Sequence, residues 1–354
     1  MPTAPPPGPA LRVGLVGYGI AGAVFHAPLV AATAGVELAA IVTRDPQRRA
    51  QAAADHPEAQ LLDDPDQLWA TRPDLAVVAS PNRTHVPLAL AAIEAGLPVV
   101  VDKPFAATSA DAERVVAAAD RAGVLLTVFQ NRRWDGDFLT VRRLVDDGRL
   151  GAVRRLESRF ERWRPEVKPG WREGTAPEDA GGLLFDLGSH LVDQALQLLG
   201  PVEAVHAELD VRRAGTAVDD DSFVSLRHAG GARSHLWASA VAAHLAPRFR
   251  VLGERAAYTV DGLDVREAAL RAGARPGDDG WGEAPPSDWG ELGLLGAVER
   301  VRTERGAYEA FYAGVIGALR DGGPPPVDPR SAVDVLRVLE AAARSADSGR
   351  LEAP

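Results

Sequence analysis

Cysteine is absent from the 354 residues of this chain, which excludes disulfides, thiolate metal sites and cysteine nucleophiles and leaves the redox compartment undetermined. No apolar run approaches the roughly 20 residues that a membrane-crossing helix needs. The opening "MPTAPPPGPA" has neither the basic nor the apolar stretch of a secretory leader. A cytoplasmic protein with no membrane partner is therefore expected, with residues 1–10 as a disordered Pro-rich tail. An excess of positive charge is also missing: the net charge is −10 and the arginines are scattered, which argues against a nucleic-acid partner. The histidines, His235 and His244 included, lack ligand spacing, so no metal site is expected.

What is present is ordinary globular material, 46% hydrophobic and 25% charged, in a chain too long for one growing core, so two domains are expected. Between Leu11 and Phe129 lie the short, nearly continuous apolar runs "LRVGLVG", "VELAAIV", "DLAVVAS", "LPVVV" and "VLLTVF". They alternate with segments such as "THVPLALAAIEAG" and "SADAERVVAAADRAG", which carry Ala, Leu and Val at helical spacing and end at glycine. Branched runs covered on both faces and separated by helices make a doubly wound α/β domain around a parallel sheet, placed at residues 11–130. Farther on, "VEAVHAELDVRR", "DSFVSLRHAG", "ARSHLWASAVA", "RFRVLGE" and "AAYTVDG" alternate more regularly between short turns. That spacing predicts a mostly antiparallel sheet in a second, α+β domain, placed at residues 131–354. The Gly-, Pro-, Asp- and Trp-rich stretch from Arg271 to Gly293 is expected to be a long surface loop, and two helices close the chain.

"VGLVGYGIAG" sets Gly17, Gly19 and Gly22 as G-x-G-x-x-G at the junction of the first strand and a helix, with Ile20 inside the turn. The first glycine permits a tight turn, the second lets backbone approach a pyrophosphate, and the third allows close helix–strand packing. The helix N-terminus then offers free N–H groups to phosphate. About 20 residues on, an acid would hold the ribose 2′-hydroxyl of NAD, but the second strand ends "IVTRD". Thr43 and Arg44 at that place suit the 2′-phosphate of NADP, because arginine clamps a phosphate with two donors. NAD, with Asp45 one residue late for its ribose, is the alternative.

"VVVDKP" ends the fifth strand with Asp102, Lys103 and Pro104 at the carboxyl edge of the sheet, where open α/β folds bind ligands. Proline biases this turn and aims Lys103 at the cleft; a strand-end lysine is otherwise a surface residue. "FDLGSHLVDQALQLLG", Phe185 to Gly200, reads as an amphipathic helix with a polar first turn. Its Asp186 and His190, four residues apart, share a face. They are either a helix start with a satisfied histidine or an acid–base pair, while Asp193 reads as structural. Gln130 and Asn131 in "FQNRRWDGDF" either touch nicotinamide or substrate, with Arg132 or Trp134 bordering the pocket, or form a polar interdomain hinge. Trp171 and Arg172 in "KPGWREG" either stack on and bond a polyol or pack between domains. His26 and Pro28 read as structural, with Phe25 flanking the cofactor.

Taken together, the glycine turn, "SPNRTH" after the fourth strand, "DKP" after the fifth and "GGLLFDLGSHLVD" resemble the family of glucose-fructose oxidoreductase, inositol dehydrogenase and the rhizopine-catabolism protein (Gfo/Idh/MocA), over Leu11 to Leu351. The family's E-K-P is D-K-P here, one methylene shorter at Asp102 with the charge kept. The resemblance implies Lys103, Asp186 and His190 as the catalytic group, with Asn82 and His85 beside the cofactor; Ser80, Asp102, Gln130 and Lys103 itself are expected to contact the cofactor as well. It also implies a carbohydrate-like substrate and a homodimer or homotetramer built on an open sheet. His190, whose ordinary pKa is near neutrality, would move the hydroxyl proton while Lys103 holds the substrate oxygen and Asp186 orients the imidazole or a second hydroxyl. The same fold also serves cofactor-dependent sensors and glycosidases that use NAD transiently. The lysine, aspartate and histidine favour catalysis over sensing, and the missing acid weighs against an NAD-retaining glycosidase.

Overall fold

The computed structural model describes residues 9–167 and 176–354; most of the expected tail lies outside them. The first half is a parallel sheet of β1 (Leu11–Val16), β2 (Val36–Val42), β3 (Gln60–Leu62), β4 (Leu75–Val78), β5 (Val99–Asp102) and β6 (Leu126–Phe129) in the order β3-β2-β1-β4-β5-β6. That order reverses direction between β1 and β4, and doubly wound sheets bind ligands at the carboxyl edge beside such a point. All residues of Leu75–Val78 and Val99–Val101 are fully buried, as expected of strands covered on both faces by helices.

Those helices are α1 (Ala27–Ala31), α2 (Pro46–Asp55), α3 (Pro65–Ala70), α4 (His85–Glu94) and α5 (Ser109–Ala122). Their starts follow local chemistry: Asp45, Asp64 and Thr108 each accept a backbone N–H of the following turn, and Gly123 in the left-handed region ends α5. A wide π-type turn, Ala21–His26, leads into α1. From α6 (Gly136–Asp146) the chain passes into a second sheet.

The second sheet holds β7 (Val153–Glu161), β8 (Val202–Asp210), β9 (Asp221–His228), β10 (Arg233–Ser239), β11 (Phe249–Gly253), β12 (Ala257–Val260), β13 (Gly290–Leu294) and β14 (Ala297–Val301). Its order is β14-β13-β12-β11-β7-β10-β9-β8, antiparallel except for the parallel β7–β10 pair. The helix α7 (Ser189–Leu199) packs on this sheet, with α8 (Arg266–Arg271), α9 (Glu309–Asp321) and α10 (Pro329–Ser348) completing the chain. α10 packs against both α5 and β8, so one helix ties the two halves together.

One expectation needs correction. The stretch Arg271–Gly293 is not all loop: α8 ends at Arg271, Gly290 onward is β13, and Trp281 is buried with its indole N–H donating to Glu309. Phe25 packs against Tyr308, with ring centres 6.3 Å apart. Among the described residues no helix is long and apolar enough to cross a membrane.

Candidate active site

The glycine turn shows what each glycine is for. Gly17 has φ of 101°, and a Cβ there would sit 2.5 Å from the carbonyl oxygen of Ala79. A Cβ on Gly22 would sit 2.0 Å from the carbonyl of Gly17, so that position is closed by backbone packing. Gly19 differs: the nearest atom to its Cβ position is Nη1 of Arg48, at 3.8 Å, which leaves open space for a ligand. Ile20 beside it is 47% exposed. Thr43 is buried at the end of β2, and the exposed Arg44 donates to the Asp63 carbonyl (2.8 Å) and the Asp64 carboxylate (2.7 Å). Asp45 accepts the Arg48 N–H as the cap of α2. Arg48 was not anticipated; it lies one turn into that helix, and its head hangs over the glycine turn.

Beneath the cleft, His85 is buried with its ring nitrogens 2.8 Å from the Pro104 carbonyl and 2.9 Å from the Ser80 carbonyl. Burial holds its pKa below the ordinary value, and a neutral imidazole has one N–H to donate. The ring expected beside the cofactor therefore serves the backbone of two loops. Ser80 and Thr84 share a hydroxyl bond of 2.6 Å, and Asn82 donates to the Asp179 carbonyl at 2.8 Å. Asp102 accepts the Lys103 N–H and lies 3.6 Å from Nε2 of the buried His26, whose Nδ1 meets the Tyr312 hydroxyl at 2.6 Å. Burial pushes the Asp102 carboxyl up, but His26, His85 and Lys103 outweigh it and hold the pKa below the usual range.

Lys103 reaches from β5 to the second half, where Nζ donates to Oδ1 of Asp186 at 2.7 Å and to the Asp186 carbonyl at 2.8 Å. Asp186 sits in a wide turn, Leu184–Gly188, that runs straight into α7 and His190. Such π-type turns are frequent at functional sites. Asp219 accepts the Leu184 N–H at 2.7 Å and fixes the start of this turn. His190 is 4% exposed, and its Nδ1 is buried with no hydrogen-bond partner among the described residues. The near-neutral titration expected of it does not hold. Burial, then the charges of Lys103, Arg132, Arg248 and Arg162, depress its pKa well below the ordinary value, so the ring is neutral at pH 7.

Gln130 is buried, with a side-chain oxygen that has no partner among the described residues, and Asn131 is buried beside it. Arg132 is buried in ion pairs with Asp135 (3.2 Å) and Glu267 (2.6 Å), while Trp134 packs on Phe311. Asp193 pairs with Arg133 through bonds of 2.9 and 2.6 Å. Trp171 and Arg172 lie outside the described residues. Among the described residues no group of three His, Asp or Glu is placed to hold a metal ion.

Sequence reasoning missed the support beneath His190. Phe160 meets the imidazole edge-on at 6.3 Å, and the guanidinium groups of Arg132 (4.8 Å) and Arg248 (4.0 Å) lie against its ring. Gln194, one turn past His190, donates to the Arg132 carbonyl at 3.0 Å and accepts from Arg248 at 2.8 Å. Only the four-residue spacing of His190 and Gln194 could have flagged it. Arg162, just past β7, was missed as well; the alternation of "ESRFERWR" is the signal for its facing.

This fold and cleft define an NAD-binding oxidoreductase acting on CH–OH groups. The family model for the oxidoreductase family with an NAD-binding Rossmann fold matches residues 11–130, and the model for the GFO/IDH/MocA C-terminal domain matches residues 138–259. The chain belongs to the Gfo/Idh/MocA oxidoreductase family. It is 34% identical over 347 residues to scyllo-inositol 2-dehydrogenase (NADP(+)) IolW of Bacillus subtilis, covering 96% of this chain and 95% of that one. It is 40% identical over 347 residues to the uncharacterized oxidoreductase YdgJ of Escherichia coli, covering 95% and 96%. The solved structure of YvaA from Bacillus subtilis superposes with a TM-score of 0.91 at 32% identity, over 98% of this chain and 99% of that one.

Proposed function

We propose that the protein is an NADP-preferring dehydrogenase or reductase of a sugar, polyol or related cyclic alcohol or ketone. Residues 11–130 hold the cofactor, residues 131–354 the substrate, and Lys103, Asp186 and His190 work at the reacting carbon. One observation carries this: the Lys103 ammonium of the nucleotide half bonds Asp186 at 2.7 Å, on the helical segment that presents His190.

The bound nicotinamide supplies the hydride acceptor or donor. The open face at Gly19 and the N-terminus of the following turn would hold the diphosphate, and the Gln130 oxygen, without a partner among the described residues, would accept from the carboxamide. In oxidation, the neutral imidazole of His190 takes the hydroxyl proton. Lys103 donates to the substrate oxygen as negative charge grows there, and Asp186 holds the ammonium in place. In reduction the proton runs the other way, from His190 to the carbonyl oxygen.

NADP preference rests on two exposed guanidinium groups, Arg44 where an NAD enzyme carries an acid and Arg48 over the glycine turn; the relative IolW is named for NADP(+). We place a homodimer or homotetramer contact on the outer sheet face, where Phe223, His235 and Trp237 stack. The test is a panel of sugars and polyols, with their ketones, followed at the nicotinamide absorbance band with each cofactor. Turnover with NADP(H) is expected. Silence across the panel would favour a cofactor-dependent sensor.

A further inference from the structure

Four cations bear on His190, and three of them are matched. Lys103 is held by Asp186 at 2.7 Å, Arg132 by Asp135 and Glu267 at 3.2 and 2.6 Å, and Arg248 lies 3.2 Å from Asp137. Arg162 is the exception among the described residues. The ion pair it makes there is to Glu267 at 3.9 Å, and Glu267 is already bonded by Arg132 at 2.6 Å and Arg271 at 3.0 Å. Three guanidinium groups thus share one carboxylate, while the Arg162 side chain is only 21% exposed. Holding a cation out of water without a full counter-charge is costly, and such groups cluster at sites that bind charged ligands.

Strand geometry says which way this charge faces. Arg162 follows Phe160 by two residues, so both lie on the sheet face covered by α7, and Phe160 is the ring that meets His190. Trp163, the residue after Arg162, alternates to the other face and is 58% exposed. The backbone at Arg162 is fixed on both sides, donating to the Ser239 carbonyl and accepting from Ala242. Burial, with Arg164 and Arg132, disfavours the charge on Arg162, against Glu267 and Asp186. An incoming anion would relieve that opposition.

We propose that Arg162 is a substrate-binding residue that reads a carboxylate, so that the preferred substrate is a sugar acid rather than a neutral polyol. This rests on the proposed dehydrogenase site. A planar guanidinium takes a carboxylate through two parallel bonds, whereas a hydroxyl offers it weaker acceptors. The acid group is not consumed; it anchors the molecule while a secondary alcohol elsewhere on it loses hydride to the nicotinamide and its proton to His190.

The test compares D-glucuronate with D-glucose, and D-galacturonate with D-galactose, in wild type, Arg162→Gln and Arg162→Lys, each saturated with NADP+. Binding is read by tryptophan fluorescence and turnover by nicotinamide absorbance. Wild type is expected to bind the acid of each pair roughly tenfold to a hundredfold more tightly. Arg162→Gln should lose that preference and Arg162→Lys keep part of it, with NADP+ affinity unchanged in both. Equal binding of acid and neutral sugar by wild type overturns the proposal, as does an equal loss for both in Arg162→Gln. A fall in NADP+ affinity also overturns it, by assigning Arg162 to the cofactor phosphates. Selective binding of the acids without any turnover supports the anion site and tells against the dehydrogenase reading instead.

Discussion

Lys103→Met removes the ammonium that joins the two halves of the cleft and leaves a side chain of similar length. If Lys103 stabilises charge on the substrate oxygen, its loss resembles removal of an oxyanion donor, which lowers kcat about 10²–10³-fold, or ~2.7–4 kcal/mol of transition-state stabilisation. Its contribution to folding is a separate quantity. The Lys103 and Asp186 side chains are 15% and 30% exposed, so as a partly solvated ion pair they contribute ~0–1 kcal/mol to stability. A melting shift of about 2–4 °C at most follows. Cofactor affinity should not change, because the ammonium bonds Asp186 and not the glycine turn. Three measurements separate the roles: kcat at saturating cofactor and substrate, NADPH affinity by fluorescence quenching, and a urea melt. A drop in kcat of less than about tenfold would refute the assignment. So would a fall in NADPH affinity in step with kcat, which would make Lys103 a cofactor-binding residue.

The remaining predictions test other parts of the molecule. The depressed pKa of His190 means that its proton-accepting form persists below the ordinary 6.5, so the acid limb of kcat/KM for alcohol oxidation should fall below pH 6.5. A limb at or above that value would show the ring to be solvated or another group to be the base. Arg266→Met removes a fully buried guanidinium paired with Asp264 (2.8 Å) and Asp135 (3.3 Å) and stacked 3.9 Å over Tyr308. Leaving those carboxylates buried without it should cost about 3–5 kcal/mol in urea unfolding, and a loss under about 1 kcal/mol would mean that water reaches them. The double substitution Arg44→Ala and Arg48→Ala should weaken NADPH about tenfold or more, at ~1.4 kcal/mol per decade, and leave NADH nearly unchanged. Equal losses for the two cofactors would place both arginines away from the 2′-phosphate.

The first sheet was legible because its signals are local. Strands such as "LAVV" and "VVVD" are buried on both faces and stand out as continuous apolar runs, and the glycine turn advertises itself by spacing. β3 was missed because it is three residues long. β7 was missed because "VRRLESRFE" buries Glu157 and Ser158 among its polar residues, which breaks the hydrophobic pattern. In the site, Lys103, Asp186 and His190 were legible as motif residues, but the state of His190 was not. Its pKa depends on Arg132, Arg162 and Arg248, which reach it only through the fold. Sequence periodicity carries no information about which arginine opposes which acid across a hundred residues.

Those long-range pairs also explain how the two sheets hold Lys103 and the His190 helix in register. Lys103–Asp186 alone would be a weak tether. Arg83, half exposed, grips the buried Asp179 just ahead of α7 with two bonds of 2.6 Å. Arg133 holds Asp193 on the helix itself, and Gln194 ties the next residue to the Arg132 carbonyl. α7 is therefore pinned before, within and alongside the turn that carries His190, by side chains from the nucleotide half and the crossover that follows it. In each pair the carboxylate or amide is the buried member, so loss of its partner leaves an unsatisfied group inside the protein. The alternative positions of the helix are penalised more than the native one is favoured. That asymmetry gives the cleft a fixed geometry, although each of its visible ion pairs is individually modest.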